Sequence, residues 1–318
     1  MARVLVTREL PAGGTEPLVD AGHVIVARDG DEPYSHDELV TIAPAVDAII
    51  CLLTDRIDAD VITAGAAGRL RVVANVAVGY DNVDVEVATR CGVAVCNTPG
   101  VLDETTADLA FLLILAAARL ASTAEADLRN ARWPGWNIMQ YLGQDVHGAT
   151  LGLVGFGRIG QAVARRAAGF GMNVRHHTRH DTGISGWAPD LDKLVATSDF
   201  VSLHVPLTDE TRHLFDDRRL ALMKPTAVLV NTARGPIVDE AALATALEDG
   251  TIFAAGIDVY EREPEVHPRL LAAPRTVLLP HLGSASEATR RRMARLACEG
   301  AVAILAGERP PNLVTPSR

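Results

Sequence analysis

Three side chains with complementary chemistry follow apolar stretches in the second half of the sequence. They are Arg234 after AVLVNTARG, Glu263 after GIDVYEREP and His281 after TVLLPHLGS. An arginine can hold a small carboxylate through two parallel hydrogen bonds while its charge polarises a neighbouring carbonyl. A histidine can give or accept a proton, and a carboxylate beside it orients the ring and favours its protonated form. These are the residue types that the reduction of a 2-keto acid requires.

Each of these residues also has a plain structural explanation when it is considered alone. Arg234 can form a surface ion pair, Glu263 can contact solvent, and His281 can be a hydrogen-bonded histidine after a proline. The three predict a site only if the fold brings them together. Ligands of open α/β sheets bind beyond the carboxyl ends of the strands, so residues that follow strands are the first candidates.

A glycine-spaced turn lies within LGLVGFGRIGQAVARR, Leu151 to Arg166. Gly155 allows a sharp turn from strand to helix, Gly157 lets the backbone approach a pyrophosphate, and Gly160 lets the helix pack closely on the strand. A GxGxxG motif alone is weak evidence, because such turns also occur for packing reasons. The turn nevertheless predicts dinucleotide binding, because it has the surroundings that the motif requires.

Those surroundings are a predicted strand, Leu151 to Val154, and a predicted helix from Arg158 to about Phe170. The unpaired N–H groups at the helix start and the positive end of its dipole would hold the pyrophosphate. Arg158 lies one residue beyond the second glycine, within reach of the same anion.

The end of the next strand bears on the choice between NADP and NAD. A domain that prefers NAD usually has Asp or Glu there, but this segment is RHHTRHD. Its two arginines and three histidines, with a threonine hydroxyl, favour a ribose 2′-phosphate and therefore NADP. The predicted contacts are Thr178, Arg179 and His180, with Arg175, His176 and His177 nearby. The alternative is a solvated strand end with Asp181 as the ribose acceptor.

Length and composition set the broad class. The 318 residues are 48% hydrophobic, which suits a globular protein of about two domains. A formal charge of −10 argues against a nucleic-acid or membrane-surface protein and favours small-molecule partners. The N-terminus lacks the apolar segment of a signal peptide, and the longest apolar run, Leu109 to Ala118, is half a membrane span. We therefore expect a cytoplasmic protein.

The four cysteines, Cys51, Cys91, Cys96 and Cys298, form no CxxC pair and no ligand cluster with histidines. They predict free thiols in a reducing compartment, and no metal site is predicted.

Short β-rich runs alternate with helical segments along the chain, which predicts parallel sheets. The predicted strands are Arg3–Val6, Val24–Val26, Ala48–Leu53, Arg71–Val76, Val93–Cys96, Leu151–Val154, Asn173–His177, Asp199–Val205, Ala227–Asn231, Phe253–Ile257 and Val277–Leu279. A phosphate-binding turn normally follows the first strand of its domain, so the position of Gly155 implies a separate α/β unit before it. We predict a dinucleotide-binding domain over 100–284 and a discontinuous domain over 1–99 and 285–318, completed by a final helix at about Ser286 to Ala306.

Two further segments have predicted structures. A long helix is predicted from Glu104 to about Arg132. The aromatic segment RWPGWNIMQYLGQDVHG, Arg132 to Gly148, predicts a loop. Its side chains Trp133, Trp136, Met139 and Tyr141 line a pocket or a subunit contact, or alternatively fill the core.

The strings ANVAVGYDNVD, NTPGVLDETTAD, LGLVGFGRIGQAVARR, VNTARGPIVDE, GIDVYEREP and LLPHLGSAS occur in this order. With them the chain resembles the D-isomer-specific 2-hydroxyacid dehydrogenases nearly end to end. CLLTDRID, Cys51 to Asp58, and RWPGW resemble most the glyoxylate/hydroxypyruvate reductase branch. The resemblance implies two doubly wound α/β domains, a Rossmann dinucleotide-binding domain and a flavodoxin-like substrate domain, in a homodimer.

The resemblance also implies roles. Arg234 would bind the substrate carboxylate and carbonyl, His281 would be the acid/base, and Glu263 its partner. Backbone N–H groups of Val78 and Gly79 would bind the substrate carboxylate. The expected cofactor contacts are Thr105, Gly155, Gly157, Arg158, Ile159, Gly160, Thr178, Arg179, His180, Pro206, Thr232, Ala233, Asp258 (near the nicotinamide amide) and Gly283.

The expected activity is reduction of a small 2-keto acid, glyoxylate or hydroxypyruvate, by NADPH or NADH. The segment Ala74 to Asn82 has no Lys or Arg, which disfavours a phosphorylated substrate. One alternative is a relative that acts on a bulkier 2-keto acid or on phosphite. Another is a nucleotide-sensing binding protein on the same fold.

Overall fold

The computed structural model describes residues 1–314, which form two compact units. The first unit is Met1–Leu102 with the chain from Ala285 onward, and the second is Asp103–Ser284. Each unit is built on one sheet in which every strand pair is parallel. The predicted fold class is therefore confirmed.

The described residues contain eleven strands and twelve α-helices. The strands are β1 (Arg3–Val6), β2 (Val24–Val26), β3 (Ala48–Cys51), β4 (Val72–Asn75), β5 (Ala94–Cys96), β6 (Thr150–Val154), β7 (Asn173–His177), β8 (Phe200–Leu203), β9 (Val228–Asn231), β10 (Ala254–Ile257) and β11 (Thr276–Leu278). The helices are α1 (Glu16–Asp20), α2 (His36–Ile42), α3 (Ala59–Ala67), α4 (Val85–Arg90), α5 (Asp103–Ala118), α6 (Ala121–Arg129), α7 (Arg158–Gly169), α8 (Leu191–Thr197), α9 (Asp217–Leu220), α10 (Glu240–Glu248), α11 (Pro268–Ala272) and α12 (Glu287–Ala306).

The first unit has the strand order β2-β1-β3-β4-β5, the order of flavodoxin-like sheets. Its central strands β3 and β4 are fully buried, because helices cover both faces of a parallel sheet. The C-terminal helix α12 packs against β3, β4, β5 and α1. The first unit therefore combines the N-terminal segment with the C-terminal helix.

The second unit has the strand order β11-β10-β9-β8-β6-β7. The chain leaves β6 for β7 on one side and returns to β8 on the other, so β6 and β8 flank the point where the strand order reverses. Ligands of doubly wound sheets bind at this point. One core cluster covers each face of the sheet, and Phe200 and Leu151 are among the fully buried side chains.

The long helix expected from Glu104 to about Arg132 is wrong in one respect, because the structure has two helices, α5 and α6, bent by 68° at their junction. Leu120 adopts a left-handed backbone conformation with φ of 52°, which ends the regular helix. Within residues 1–314 no single helix is long and apolar enough to cross a membrane. The bent pair α5 and α6 meets that criterion by length and composition only, and half of the residues of α5 are buried.

Candidate active site

His281 and Glu263 form a direct pair. The Nδ1 atom of His281 lies 2.8 Å from Oε2 of Glu263, and the two side chains are 26% and 27% exposed. The other carboxylate oxygen, Oε1, accepts a hydrogen bond from the backbone N–H of Tyr260 at 3.0 Å. The carboxylate is thus fixed at one end by the backbone and orients the imidazole at the other, leaving Nε2 for proton transfer.

Strand order explains why these residues meet. Arg234 follows β9, Glu263 follows β10 and His281 follows β11, and these three strands are consecutive in the second sheet. Parallel strands end at the same edge, so the segments that follow them share one end of the sheet. Burial opposes ionisation of Glu263, but the hydrogen bond with His281 and the charges of His281 and Arg234 lower the pKa of its carboxyl. The electrostatic effect of Arg234 on Glu263 supports a shared site.

The side chain of Asn231 determines the shape of the turn that contains Arg234. Its Nδ2 donates to the carbonyl of Arg234 at 2.9 Å, and its Oδ1 accepts from the N–H of Ala233 at 3.0 Å. The Arg234 guanidinium is partly buried and donates to the Ala233 carbonyl at 2.8 Å. Arg234 therefore projects from a turn that is fixed at both ends.

Asp258 holds the segment that contains His281. Its carboxylate accepts from the N–H groups of Leu282 at 2.7 Å and Gly283 at 2.8 Å, and its carbonyl accepts from the N–H of His281. These bonds maintain a left-handed backbone at His281, where φ is 54°. Burial raises the pKa of Asp258 to about 6 despite the hydrogen bonds from Leu282 and Gly283.

The glycine turn lies at the reversal point of the second sheet. Gly155 has a φ of 93°, and a Cβ there would lie 2.5 Å from the carbonyl oxygen of His204, which follows β8. A Cβ on Gly160 would lie 2.5 Å from the Gly155 carbonyl, whereas one on Gly157 would meet nothing within 4 Å. Gly155 and Gly160 permit close packing, and Gly157 faces open space.

The start of α7 suits an anion. Seven other helices have an Asp or Ser side chain that accepts from a first-turn N–H, but α7 begins after Gly157 and has no such cap. Its first turn contains Arg158, which is exposed, and Ile159, which is partly buried, and no acidic residue. Backbone N–H groups without a side-chain acceptor at a helix start form an anion-binding site.

Other predicted cofactor contacts surround the same end of the sheet. Thr232, which follows β9, is 8% exposed, and its hydroxyl has no hydrogen-bond partner among the described residues. A buried hydroxyl in that state fits a polar ligand. Gly283 is fixed by Asp258 and by Thr106, whose hydroxyl donates to its carbonyl at 3.0 Å. Pro206 is exposed after β8, and Thr105 is partly buried in the first turn of α5.

Part of the positive charge predicted for the segment RHHTRHD at the end of β7 is absent from the structure. His176 is fully buried, stacks on Phe156 with ring centroids 3.8 Å apart, and has a pKa lowered by burial, so it adds no charge. The hydroxyl of Thr178 donates to the His180 carbonyl at 2.7 Å and is already used locally. The exposed arginines that remain are Arg175, within β7, and Arg179 after it, beside the exposed side chain of His180.

The alternative ribose acceptor at this strand end, Asp181, is also engaged. Its Oδ1 accepts from the N–H of Gly183 at 2.8 Å, as in a local turn. This contact holds the carboxylate within its own loop.

The predicted carboxylate-binding loop lies in the first unit. The carbonyl of Val78 accepts from Nδ2 of Asn97 at 2.8 Å, and the carbonyl of Gly79 accepts from Nδ2 of Asn75 at 2.9 Å. Because a peptide N–H points away from the carbonyl of the same peptide, these bonds orient the N–H groups of Gly79 and Tyr80 in the opposite direction. Both peptides are fixed within this unit.

Comparison with known proteins identifies the family. Residues 111–283 match the sequence profile of the D-isomer specific 2-hydroxyacid dehydrogenase, NAD binding domain. The chain belongs to the D-isomer-specific 2-hydroxyacid dehydrogenases. It is 48% identical to a glyoxylate reductase of Korarchaeum cryptofilum and 46% identical to one of Thermococcus onnurineus, over 98% of this chain and 95% of each relative. The predicted family is confirmed, and the chain is an NAD(P)-dependent dehydrogenase.

A solved structure agrees with this assignment. An NADPH-dependent glyoxylate/hydroxypyruvate reductase from Sinorhizobium meliloti, in complex with NADP and malonate, is 35% identical, with a TM-score of 0.86. The match covers 98% of this dehydrogenase and 96% of that chain.

The aromatic segment of this dehydrogenase does not fill the core. Trp133, Trp136 and Met139 are 49%, 81% and 72% exposed, so the core-filling alternative is wrong for these three. Tyr141 is partly buried, and its hydroxyl donates to Asp127 at 3.0 Å.

Several positioning side chains escaped the sequence analysis of this dehydrogenase. They are Asn75, Asn97, Thr106 and Asn231. Asn75 and Asn231 are the last residues of β4 and β9, and each follows buried apolar residues. A polar residue at the carboxyl end of a buried strand was the signal available for these two.

We predict that acid lowers the stability of this dehydrogenase, because His204, beside the glycine turn, is neutral in the folded protein. Burial lowers the pKa of His204 from 6.5 to about 4, so between these values the unfolded chain binds a proton that the folded dehydrogenase does not. The free energy of unfolding contributed by His204 is complete above pH 6.5 and falls as the pH drops toward 4. We expect the wild type to lose up to about 2 kcal/mol more between pH 7 and pH 5 than His204→Gln, measured by urea unfolding. Equal losses in the two proteins would contradict this assignment.

Proposed function

We propose that this dehydrogenase reduces glyoxylate or hydroxypyruvate to the corresponding 2-hydroxy acid, with NADPH preferred over NADH. The observation that carries the proposal is the contact between His281 and Glu263, with Arg234 after the neighbouring strand. The printed names of the relatives, glyoxylate reductase and glyoxylate/hydroxypyruvate reductase, support the substrate class.

Each residue has a distinct part in this reaction. The nicotinamide cofactor, when bound, would supply the hydride for the keto carbon. Arg234 pairs with the substrate carboxylate and polarises the keto oxygen, which gains negative charge in the transition state. His281 gives its proton to that oxygen, and Glu263, kept ionised by its lowered pKa, orients the ring and stabilises its protonated form. The N–H groups of the Val78–Gly79 loop would add a second contact to the carboxylate.

The residues around the glycine turn fit a dinucleotide. The uncapped start of α7, the open space at Gly157 and the unpartnered hydroxyl of Thr232 support a pyrophosphate and further polar contacts there. We assign cofactor binding to Gly155, Gly157, Arg158, Ile159 and Gly160, to Thr105 in the first turn of α5, and to residues after the neighbouring strands. The last group is Pro206, Thr232, Ala233, Asp258 and Gly283.

The proposed preference for NADPH rests on the exposed guanidinium of Arg179 after β7. Arg179→Ala is expected to lower the ratio of kcat/KM with NADPH to kcat/KM with NADH by about 10-fold or more, since a hydrogen bond to a charged group is lost only with the 2′-phosphate. Initial rates with both cofactors measure the ratio. Arg90→Ala, in the last turn of α4 in the other unit, is the matched control. A wild type that prefers NADH, or an unchanged ratio in Arg179→Ala, would contradict the assignment of Arg179.

A small unphosphorylated acid fits best as the substrate, because the loop from Ala74 to Asn82 carries no Lys or Arg.

Exposed apolar side chains, including Leu128, Trp136 and Ile138, support a homodimer that forms through these side chains. The cytoplasmic location stays a prediction.

A substrate panel tests the proposed function. Purified protein is mixed with NADPH or NADH and, in turn, glyoxylate, hydroxypyruvate, pyruvate and a bulkier 2-keto acid. Phosphite, a hydride donor, is tested separately with NADP⁺ or NAD⁺. Nicotinamide absorbance reports turnover. We expect the highest kcat/KM with glyoxylate or hydroxypyruvate. A higher value with another donor or acceptor would replace the proposed substrate, and no turnover with any acid would remove the proposed function.

A further inference from the structure

Glu240 has a nearly buried carboxylate that contacts the segment containing Glu263. The residue is 5% exposed at the start of α10. Its Oε1 accepts from the N–H of Glu261 at 2.5 Å, and its Oε2 accepts from the N–H of His267 at 2.8 Å. These two N–H groups lie on either side of Glu263 in the chain. One carboxylate therefore fixes both ends of the segment from which Glu263 reaches His281.

The contact is reciprocal. Oε1 of Glu261 accepts from the N–H of Glu240 at 2.9 Å, and Oε2 of Glu261 lies 3.1 Å from Nε2 of His213. The segment also packs on the turn of Arg234, since a Cβ on Gly235 would lie 1.8 Å from the carbonyl carbon of Tyr260. The segment that Glu240 fixes is therefore also in contact with the turn of Arg234.

Helix capping does not explain Glu240. The N-cap of α10 is Asp239, whose side chain accepts from the N–H of Ala242 at 3.0 Å. The first helical residue is a position where a carboxylate can remain in water near the positive end of the helix. Burial of this carboxylate instead requires hydrogen bonds, which the segment Glu261 to His267 provides.

We propose that Glu240 is a positioning residue for the acid/base pair, acting through Glu263 on His281. Its bonds to Glu261 and His267 set the place of the Glu263 carboxylate relative to the imidazole. This inference rests on the proposed function, because the pair matters only if His281 transfers a proton to a keto acid. It extends the proposal to a residue without a direct contact to either partner of the pair.

The test begins with Glu240→Gln. Glutamine keeps the shape of the side chain, but its single acceptor oxygen can serve only one of the two N–H groups, and its NH₂ group faces the other. We expect kcat with glyoxylate to fall about 10-fold, the size of one lost hydrogen bond to a charged group, while KM for NADPH stays within about twofold. The matched control is Glu287→Gln, the same change at the first residue of α12, where the side chain is 82% exposed. The control should retain wild-type kcat.

A double-mutant cycle with Glu263→Gln separates positioning from general stability. If Glu240 acts through Glu263, the double variant should have the kcat of Glu263→Gln alone within about twofold, because removing the second carboxylate then removes nothing further. Both single variants should also move the alkaline limb of the pH profile to lower pH. The protonated imidazole loses its carboxylate in Glu263→Gln, and that carboxylate is displaced in Glu240→Gln. Multiplicative losses in the cycle, or an unchanged pH profile in Glu240→Gln, would overturn the proposal.

Thermal unfolding of each variant shows whether a loss of activity comes from a folding defect. Should Glu240→Gln not fold, Glu240→Asp takes its place in the cycle, since aspartate keeps the charge and shortens the reach by one methylene. The same expected and contradicting outcomes apply to it. An inactive wild type would count against the proposed function. An active wild type whose two single-variant losses multiply in the double variant would count against the role of Glu240 alone.

Discussion

Replacing His281 with asparagine is expected to lower kcat for keto acid reduction by ~10²–10⁴-fold, the usual contribution of a positioned acid or base. The imidazole is the group that Glu263 orients at 2.8 Å, and its loss removes the proton donor for the keto oxygen. Asparagine is the suitable replacement because it tolerates the left-handed backbone that this position adopts, with φ of 54°. The backbone bonds to Asp258 can then persist.

The measurement is initial rates across a glyoxylate series, with NADPH binding followed separately by nicotinamide fluorescence. Binding of NADPH should remain within about threefold of wild type, because the bonds from Asp258 to Leu282 and Gly283 do not involve the imidazole. His147→Asn, at an exposed histidine of the same unit, is the control and should be fully active. A His281→Asn variant with more than a tenth of wild-type kcat would exclude His281 as the acid/base.

Short, nearly continuous apolar runs were sufficient to locate every strand of residues 1–314. Each observed strand lies within one residue of a predicted core, and the differences are at the ends, as for β8, observed at Phe200–Leu203 within the predicted Asp199 to Val205. Strand ends depend on where the partner strand stops pairing, which one sequence does not reveal. Existence and type were predictable because buried parallel strands form nearly continuous apolar runs.

The break between α5 and α6 was not predictable in the same way. No glycine or proline occurs between Asp103 and Arg129, and the intrinsic helix propensity of that stretch is high. Two residues before the left-handed Leu120, the carbonyl of Ala118 accepts from the N–H of Gln144, a partner outside both helices. The sequence around Ala118 does not reveal that its carbonyl will bond a residue 26 positions away.

Some residues of the candidate site were likewise predictable from the sequence, and others were not. Arg234, Glu263 and His281 were predicted because each follows a strand. In the structure Glu263 and His281 are in contact, and Arg234 follows the strand next to that of Glu263. The charge near β7 was overestimated because His176 faces the core, although its neighbours are polar. Glu240 resembles an ordinary acidic first-turn residue in the sequence. Only its hydrogen bonds to Glu261 and His267 distinguish it from Glu287, which occupies the same helix position in solvent.

The second large effect is expected at Arg234. Arg234→Gln should lower kcat/KM for glyoxylate by about 30- to 5,000-fold, the range for removing one partner of a hydrogen-bonded charge pair. Arg234→Lys should recover only part of this loss, because an ammonium keeps the charge but lacks the planar fork that matches a carboxylate. The exposed Arg269, which pairs with Glu248 on the surface, provides the control Arg269→Gln.

A second consequence of the same change concerns pH. The charge of Arg234 is one of the causes that lower the pKa of Glu263, after the hydrogen bond and charge of His281, so Arg234→Gln should raise that pKa toward its ordinary value. Protonated Glu263 cannot stabilise a protonated His281, and the acid limb of the pH profile should therefore move to higher pH. Kinetics from pH 4 to pH 8 measure both effects. A large loss of kcat/KM with an unmoved acid limb would show that Arg234 binds substrate without acting on Glu263, whereas a wild-type kcat/KM would remove Arg234 from the site.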